Sequence, residues 1–271
     1  MLYFVATPIG NLKEITVYAL EKLQEVDCIY AENPRHTLTL LNAHNIKKPV
    51  YEYQKFNEKQ KALQIIEKLK QGQKIAVVSD AGTPLISDQG SILRDLLIEH
   101  DLPFTLLSGA CAMVNALVLS GLPTQNFYMA GFLPTKQKER TALIDKIKHL
   151  QSSLVFYVAV HDVKKDIEFL YTTLGARCAS LVREISKKFE QTIRFTLDKI
   201  PEITLKGEFV LVVEGYSAPE IDSDNVDILQ ELKSLIKSGT TKKEAIKLVA
   251  NNFNLDPKKV YAIATQISLQ R

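Results

Sequence analysis

Between residues 2 and 119 short apolar runs alternate with segments of helical period, and that alternation limits the fold more than any other property of the chain. Runs at 2–6, 28–31, 50–53, 74–78 and 104–107 read as strands. Each is followed by a helical segment, at 16–24, 35–42, 58–70, 92–99 and 111–119. In the first of these, Val17, Leu20 and Leu23 share one face. The run Ile75-Ala76-Val77-Val78 is apolar without interruption, as a strand buried on both faces requires. Strands separated by helices pair in parallel, so the predicted class is α/β, with a mainly parallel sheet covered on both sides.

Ligands of such sheets sit beyond the carboxyl ends of the strands, where rigidly anchored loops surround a crevice. The most informative loop follows the fourth strand and reads Ser79-Asp80-Ala81-Gly82-Thr83-Pro84-Leu85-Ile86-Ser87-Asp88. Gly82 lets the backbone approach a ligand, Pro84 stiffens the turn, and Asp80 and Asp88 flank it as acceptors. A simple helix N-cap at Ser87 or Asp88 accounts for the second half alone. Three further loops hold corresponding positions. Ala6-Thr7-Pro8-Ile9-Gly10-Asn11-Leu12 follows the first strand, Ser108-Gly109-Ala110-Cys111-Ala112 the fifth, and Gly131-Phe132-Leu133-Pro134 the first strand of the second half. Small residues after the fifth strand serve either ligand room or close helix–sheet packing. With neither GxGxxG nor GxxxxGK[ST] present, a dinucleotide or nucleoside triphosphate site is disfavoured.

Gly121-Leu122-Pro123-Thr124 breaks the pattern. Beyond it, strands at 127–130, 154–158, 178–183, 192–196 and 208–213 surround helices at 138–150 and 163–174, which predicts a mixed sheet with a hairpin at 178–196. Ser217-Ala218-Pro219-Glu220 and the acidic Asp222, Asp224 and Asp227 read as a linker to three helices, at 226–236, 241–250 and 257–267, punctuated by Gly239 and Asn254. Thr241 and Glu244 have capping-box spacing. The predicted organisation is therefore an N-terminal α/β domain at 1–120, a second at 121–217 and a helical tail at 218–271. From Lys233 onward Lys237, Lys242, Lys243, Lys247, Lys258, Lys259 and Arg271 face only Glu244 and Asp256, a balance that suits either phosphate binding or an ordinary solvated face.

The formal net charge of +3 does not establish a nucleic-acid partner by itself. No run of about 18 apolar residues and no secretory leader pattern is visible, so a cytoplasmic protein without a membrane partner is expected. Cys28, Cys111 and Cys178 lack CxxC spacing, and the five histidines form no cluster, which points to a reducing compartment and to no bound metal.

Six segments taken in order carry a family likeness. They are Thr7-Pro8-Ile9-Gly10-Asn11-Leu12, Ala31-Glu32-Asn33-Pro34-Arg35-His36-Thr37, the loop from Ser79 to Asp88, Gly131-Phe132-Leu133-Pro134, Arg183-Glu184, and Lys206-Gly207-Glu208-Phe209-Val210-Leu211-Val212-Val213-Glu214-Gly215. Together they resemble the ribosomal small subunit methyltransferase I family of the tetrapyrrole-methylase-like superfamily. The resemblance covers residues 2–215 almost without a gap, and 241–261 is similar to that family's C-terminal helical module. It implies two α/β domains with S-adenosylmethionine in the cleft between them, plus a small C-terminal helical module, in a homodimer. It also implies 2′-O-methylation of a cytidine in the decoding region of 16S rRNA, within the small ribosomal subunit or as free rRNA. Carried over residue by residue, the cofactor-binding positions are Pro8, Ile9, Asp80, Gly82, Thr83, Cys111, Ala112, Phe132, Leu133 and Gly207. The chain departs from the family pattern at Asn33-Pro34, where the family has Asp-Thr. It departs again at Ser108-Gly109-Ala110-Cys111, a Pro-Gly-Pro-Ser run in the family, and at Tyr157-Val158-Ala159-Val160-His161-Asp162, where the family has Tyr-Glu-Ser-Pro-His-Arg.

For such a displacement, alignment of acceptor and methyl group supplies roughly 7–11 kcal/mol. A group that accepts the hydroxyl proton adds roughly 10²–10⁴-fold. Glu184 and Glu32 are the first candidates for that proton, with Asp80 a third that serves the cofactor instead. Arg183 and Arg35 have the geometry to clamp RNA phosphate, joined by Lys136, Lys138 and Arg140. Glu32 and Arg35 read equally well as a pair bracing a helix start, and His36 as a local hydrogen-bonding residue. Methylation of a tetrapyrrole or other small metabolite is the alternative activity, and a non-catalytic RNA- or ribosome-binding role the alternative class.

Overall fold

A computed structural model describes residues 1–217, 227–253 and 255–265. Residues 218–226 of the expected linker, together with Asn254 and Arg271, lie outside the described residues. Residues 1–216 form one compact unit and residues 217–271 another.

The first unit contains two five-stranded sheets. In the first, strands β1 (Leu2–Val5), β2 (Cys28–Ala31), β3 (Val50–Glu52), β4 (Ile75–Val78) and β5 (Phe104–Leu107) run parallel in the order β3-β2-β4-β1-β5. Their side chains alternate between two cores, as the period of two dictates. Tyr3, Val5, Ile29, Ala31, Ala76 and Val78 pack against Ala19 and Leu23 of α1 (Val17–Glu25) and Leu40 and Leu41 of α2 (Pro34–Ala43). Leu2, Phe4, Cys28, Tyr30, Ile75 and Val77 pack on the other face against α3 (Glu58–Lys70) and α4 (Ser91–Glu99). The doubly covered parallel sheet expected from the alternation is the one observed.

The second sheet joins β6 (Phe127–Phe132), β7 (Ser153–Val158), β8 (Cys178–Arg183), β9 (Gln191–Thr196) and β10 (Phe209–Val213) in the order β6-β7-β10-β8-β9. Only β6 and β7 are parallel, and β8–β9 is the expected hairpin. One face carries α6 (Gln137–Ile147) and α7 (Val163–Leu174) over Phe156, Leu181 and Leu211. The other face, with Val155, Val182, Val210 and Val212, is covered by α5 (Ala112–Ser120) through Ala116 and Leu117. The helix that closes the first run of βα units therefore packs on the second sheet. The composition break at 121 is where α5 stops, at Gly121 in the left-handed region (φ 77°). Gly131 and Phe132, expected in a loop, belong instead to β6, which continues past a bulge between Met129 and Gly131 (φ 72°).

Among its described residues the second unit has three helices, α8 (Ile228–Lys237), α9 (Lys242–Asn252) and α10 (Pro257–Ala264), closed around Leu232, Ala245, Val249 and Val260. The capping box forms: Thr241 Oγ1 accepts from the Glu244 amide at 3.3 Å while Glu244 Oε2 accepts from the Thr241 amide at 3.4 Å. Among the described residues no helix is long and apolar enough to cross a membrane.

Arg140 corrects a sequence expectation. It is 4% exposed, and its Nη2 donates to Asp166 Oδ1 at 2.7 Å while the guanidinium lies 4.1 Å from the Phe169 ring centroid. It braces α6 against α7 and cannot face RNA, because reaching solvent would unpair Asp166 in the core. Asp166→Ala should lower stability by about 3–5 kcal/mol, read as an earlier chemical denaturation midpoint, since it leaves a buried guanidinium without its counter-charge. Replacing the pair together, with Arg140→Met and Asp166→Leu, should restore most of that loss.

Candidate functional site

The carboxyl ends of β1, β2, β4 and β5 deliver four loops to one edge of the first sheet, and hydrogen bonds stitch them together. Thr7 and Gly82 exchange two backbone hydrogen bonds of 2.9 Å, joining the β1 and β4 loops. Thr7 Oγ1 donates to the Ser79 carbonyl at 3.1 Å, and Ser79 Oγ donates to the Gly82 carbonyl at 2.8 Å. Thr83 Oγ1 reaches across to the Ala110 carbonyl at 3.0 Å, joining the β5 loop. Asp80 Oδ1 accepts from the Asn33 amide at 3.0 Å, joining the β2 loop. Asn33 in turn caps α2, its side chain accepting from the Arg35 and His36 amides. An amide oxygen at position 33 does this as well as a carboxylate, and Pro34 fits the first helical position, where no N–H is needed.

The far end of the β4 loop is held from another direction. Gly90 begins α4, and buried Glu58 on α3 supplies the cap, Oε1 accepting from the Gly90 and Ile92 amides at 2.9 and 3.1 Å. Ser87 and Asp88 therefore do not cap that helix, against the simpler sequence reading. Leu85 and Ser87 both sit at φ 67°, a left-handed conformation that side chains adopt at a cost. Asp88 follows this strained turn.

Between these loops and the second sheet lies a cleft of about 530 Å³. Ile9, residues 80–83 and 86–88, Cys111 and Ala112 line one side. Phe132, residues 157–161, Ile185 and residues 207–210 line the other. The Phe132 and Tyr157 rings meet at a tilt of 46° with centroids 5.5 Å apart, giving an aromatic wall. Asp88 is half-buried there, and burial, followed by the charges of Glu32 and Asp80, pushes its carboxyl up to about 6. Burial also lifts the Tyr157 phenol to about 12, with Cys111 and Asp88 adding to the effect.

Of the ten cofactor positions named from the sequence, eight line this cleft: Ile9, Asp80, Gly82, Thr83, Cys111, Ala112, Phe132 and Gly207. Pro8 instead lines a small neighbouring groove with Leu12 and His36, and Leu133 packs into the core beneath the second sheet. The small-residue loop divides its work. A Cβ on Gly109 would lie 2.9 Å from Ala6 Cβ, so that glycine serves packing, while Cys111 and Ala112 face the cleft.

Glu184, expected near the acceptor, lies outside the cleft lining. Its Oε1 accepts from Lys187 Nζ at 2.9 Å and from the Glu208 amide at 3.0 Å. Burial opposes ionisation, but those hydrogen bonds win and hold its carboxyl below the usual range. A Cβ on Gly207 would meet the Glu184 carboxyl at 2.5 Å, and φ is +96°, so this glycine exists to let Glu184 pin the strand entry. Arg183 Nε donates to the Lys206 carbonyl at 2.6 Å, bracing the same turn. Glu32 lies outside the lining but close enough to raise Asp88. Arg35, Lys136 and Lys138 are exposed, Lys136 pairing with Glu139 at 3.1 Å. The residues that sequence reasoning missed are Tyr157 and Val210, on strands of the second sheet, and His161, Ile185 and Glu208, in the loops at its strand ends. Strand periodicity does not say which of their ends meets the first sheet.

The family model for Tetrapyrrole (Corrin/Porphyrin) Methylases matches residues 1–201. The ribosomal RNA small subunit methyltransferase I of Halalkalibacterium halodurans is 37% identical, over 98% of this chain and 94% of that protein. Among solved structures, diphthine synthase superposes with a TM-score of 0.67 at 16% identity, covering 79% of this chain and 89% of that one. The uroporphyrin-III C-methyltransferase of Thermus thermophilus, solved with S-adenosylhomocysteine, gives 0.55 at 16% identity over 78% of this chain and 96% of that one. The two structures share the fold, and the two sequence matches go further: the chain belongs to the tetrapyrrole methylases and, among them, to the ribosomal RNA small subunit methyltransferase I family.

Proposed function

We propose that this methyltransferase uses S-adenosylmethionine to methylate the ribose 2′-hydroxyl of a cytidine in the decoding region of 16S rRNA. The observation that carries the reading is the cleft itself, with family membership setting the class of reaction. Its residues fit the cofactor. Asp80 offers negative charge to a ligand with a net positive one, while Ile9, Ala112, Phe132 and Val210 offer apolar walls to an adenosyl group. When bound, the cofactor supplies an electrophilic methyl group on sulfur. The chain's part is to exclude water, align the acceptor oxygen and accept its proton.

Exposed Arg35, Lys136 and Lys138 suit RNA phosphate. Exposed Lys243, Lys247, Lys258 and Lys259 of the helical module add a sequence-independent electrostatic contribution. The homodimer is the assembly we favour, because Phe104 and Leu106 on edge strand β5 and Val118 on α5 are exposed apolar groups that a second copy would cover. The reading also keeps the cytoplasm as the site of action, where rRNA is available.

Calorimetry should detect S-adenosylmethionine binding to the purified chain. Ala112→Phe, which fills the cleft, and Asp80→Asn, which removes a charge, should each weaken it by about tenfold or more, ~1.4 kcal/mol. Unaltered affinity in both would move the cofactor elsewhere. Small ribosomal subunits or their 16S rRNA should accept a tritiated methyl group, and a substrate carrying 2′-deoxycytidine at the target should not. Label on a tetrapyrrole precursor instead would favour the alternative activity. Changing Lys243, Lys247, Lys258 and Lys259 together to Gln should reduce the salt slope of RNA binding by roughly 0.7 for each phosphate that these lysines neutralise. The cofactor titration should stay the same.

A further inference from the structure

The ribose-methylation reading needs a group to take the acceptor proton, and the carboxylates named from the sequence are poorly placed for it. Glu184 is engaged by Lys187 and the Glu208 amide outside the cleft lining. Glu32 is outside the lining too, and Asp80 already accepts from the Asn33 amide. Glu208 does line the cleft, but its Oε2 is held by Lys187 Nζ at 2.8 Å. Asp88 differs from all four. It lines the cleft half-buried, and the helix that follows takes its cap from Glu58. The strained turn at Leu85 and Ser87, two non-glycine residues in the left-handed region, immediately precedes it.

Resting on that reading, we infer that Asp88 is the catalytic base that removes the proton from the ribose hydroxyl. As the hydroxyl oxygen bonds to the methyl carbon, the carbon–sulfur bond breaks with its electron pair staying on sulfur, which becomes neutral. The proton passes to an Asp88 carboxylate oxygen and then to solvent. No other reactant is needed. The surroundings suit the task, since a base works best when its proton affinity matches the working pH. Burial and the facing carboxylates of Glu32 and Asp80, from the ends of β2 and β4, bring Asp88 to about 6. Tyr157 faces it from β7, and Cys111, His161 and Glu208 complete the titratable groups of the lining.

The sign follows directly. Asp88 must be ionised to accept a proton, so kcat/KM of the wild-type chain should climb with pH along a limb centred near 6. In Asp88→Asn, kcat should fall by about 10²–10⁴-fold and the limb should vanish, while calorimetric affinity for S-adenosylmethionine stays unchanged. Asp88→Glu should keep the limb. Three results would overturn the assignment: wild-type kcat in Asp88→Asn, a weakened cofactor affinity with kcat intact at saturation, or a limb that survives there and is lost in His161→Gln. The first identifies a spectator, the second a cofactor-holding residue, and the third a histidine base. A wild-type enzyme that labels 2′-deoxy RNA equally well removes the hydroxyl reading and the base along with it. Discrimination against the deoxy substrate with an inert Asp88→Asn change removes the base alone.

Discussion

The packing of α5 on the second sheet is the contact on which the site depends. Ala116 and Leu117 are buried against Val155, Val182, Val210 and Val212, with Ile9 and Ile185 in the same cluster. At the other end Arg194, on β9, donates from Nε to the Ser120 carbonyl at 2.9 Å and from Nη2 to the Leu119 carbonyl at 2.6 Å. A cation here also complements the negative end of the helix. The amino end of the same helix carries Cys111 and Ala112 into the cleft. A helix anchored at both ends in this way sets the separation between the loops of one sheet and the strand ends of the other. The cleft is thus a consequence of hydrophobic burial some distance from its own floor.

Polar contacts then fix what packing leaves free. Loops at a sheet edge carry backbone groups that the ladder no longer satisfies, and an unpaired buried group costs about 1–3 kcal/mol. Thr7, Ser79, Thr83, Asp80 and Asn33 satisfy one another across four loops. Glu58 does the same for the start of α4. This over-determination allows Leu85 and Ser87 to stay in an unfavourable backbone region, at a cost of order 1–3 kcal/mol each, and so keeps Asp88 beside the cleft. Desolvation and like charge at Asp88 follow from the same arrangement. The conformational strain and the electrostatic strain fall within a few residues of each other, as functional sites often show.

Much of this is legible in the chain. The order of elements, the parallel first sheet, the β8–β9 hairpin and the capping box at Thr241 follow from hydrophobic period, turn residues and local hydrogen bonding, all of which act over a few residues. Six of the eight cofactor positions that line the cleft, Ile9, Asp80, Gly82, Thr83, Cys111 and Ala112, do so because loops at strand ends share one edge wherever a parallel sheet forms, while Phe132 and Gly207 come from the second sheet's side. Arg140 and Glu184 escape such a reading for one reason. A charged side chain reads as exposed and free until a distant partner is known to engage it, Asp166 for Arg140 and the Glu208 amide for Glu184.

The sequence by itself determined which segments become strands and helices, and which loops gather at the carboxyl edge of the first sheet, since those outcomes depend on neighbours in the chain. Tertiary structure decided that α5 serves the second sheet, that Tyr157, Ile185 and Val210 close the cleft, and that Asp88 and not Glu184 meets its interior. These depend on contacts between residues far apart along the chain, whose free energy comes from burying surface that no local window of sequence contains.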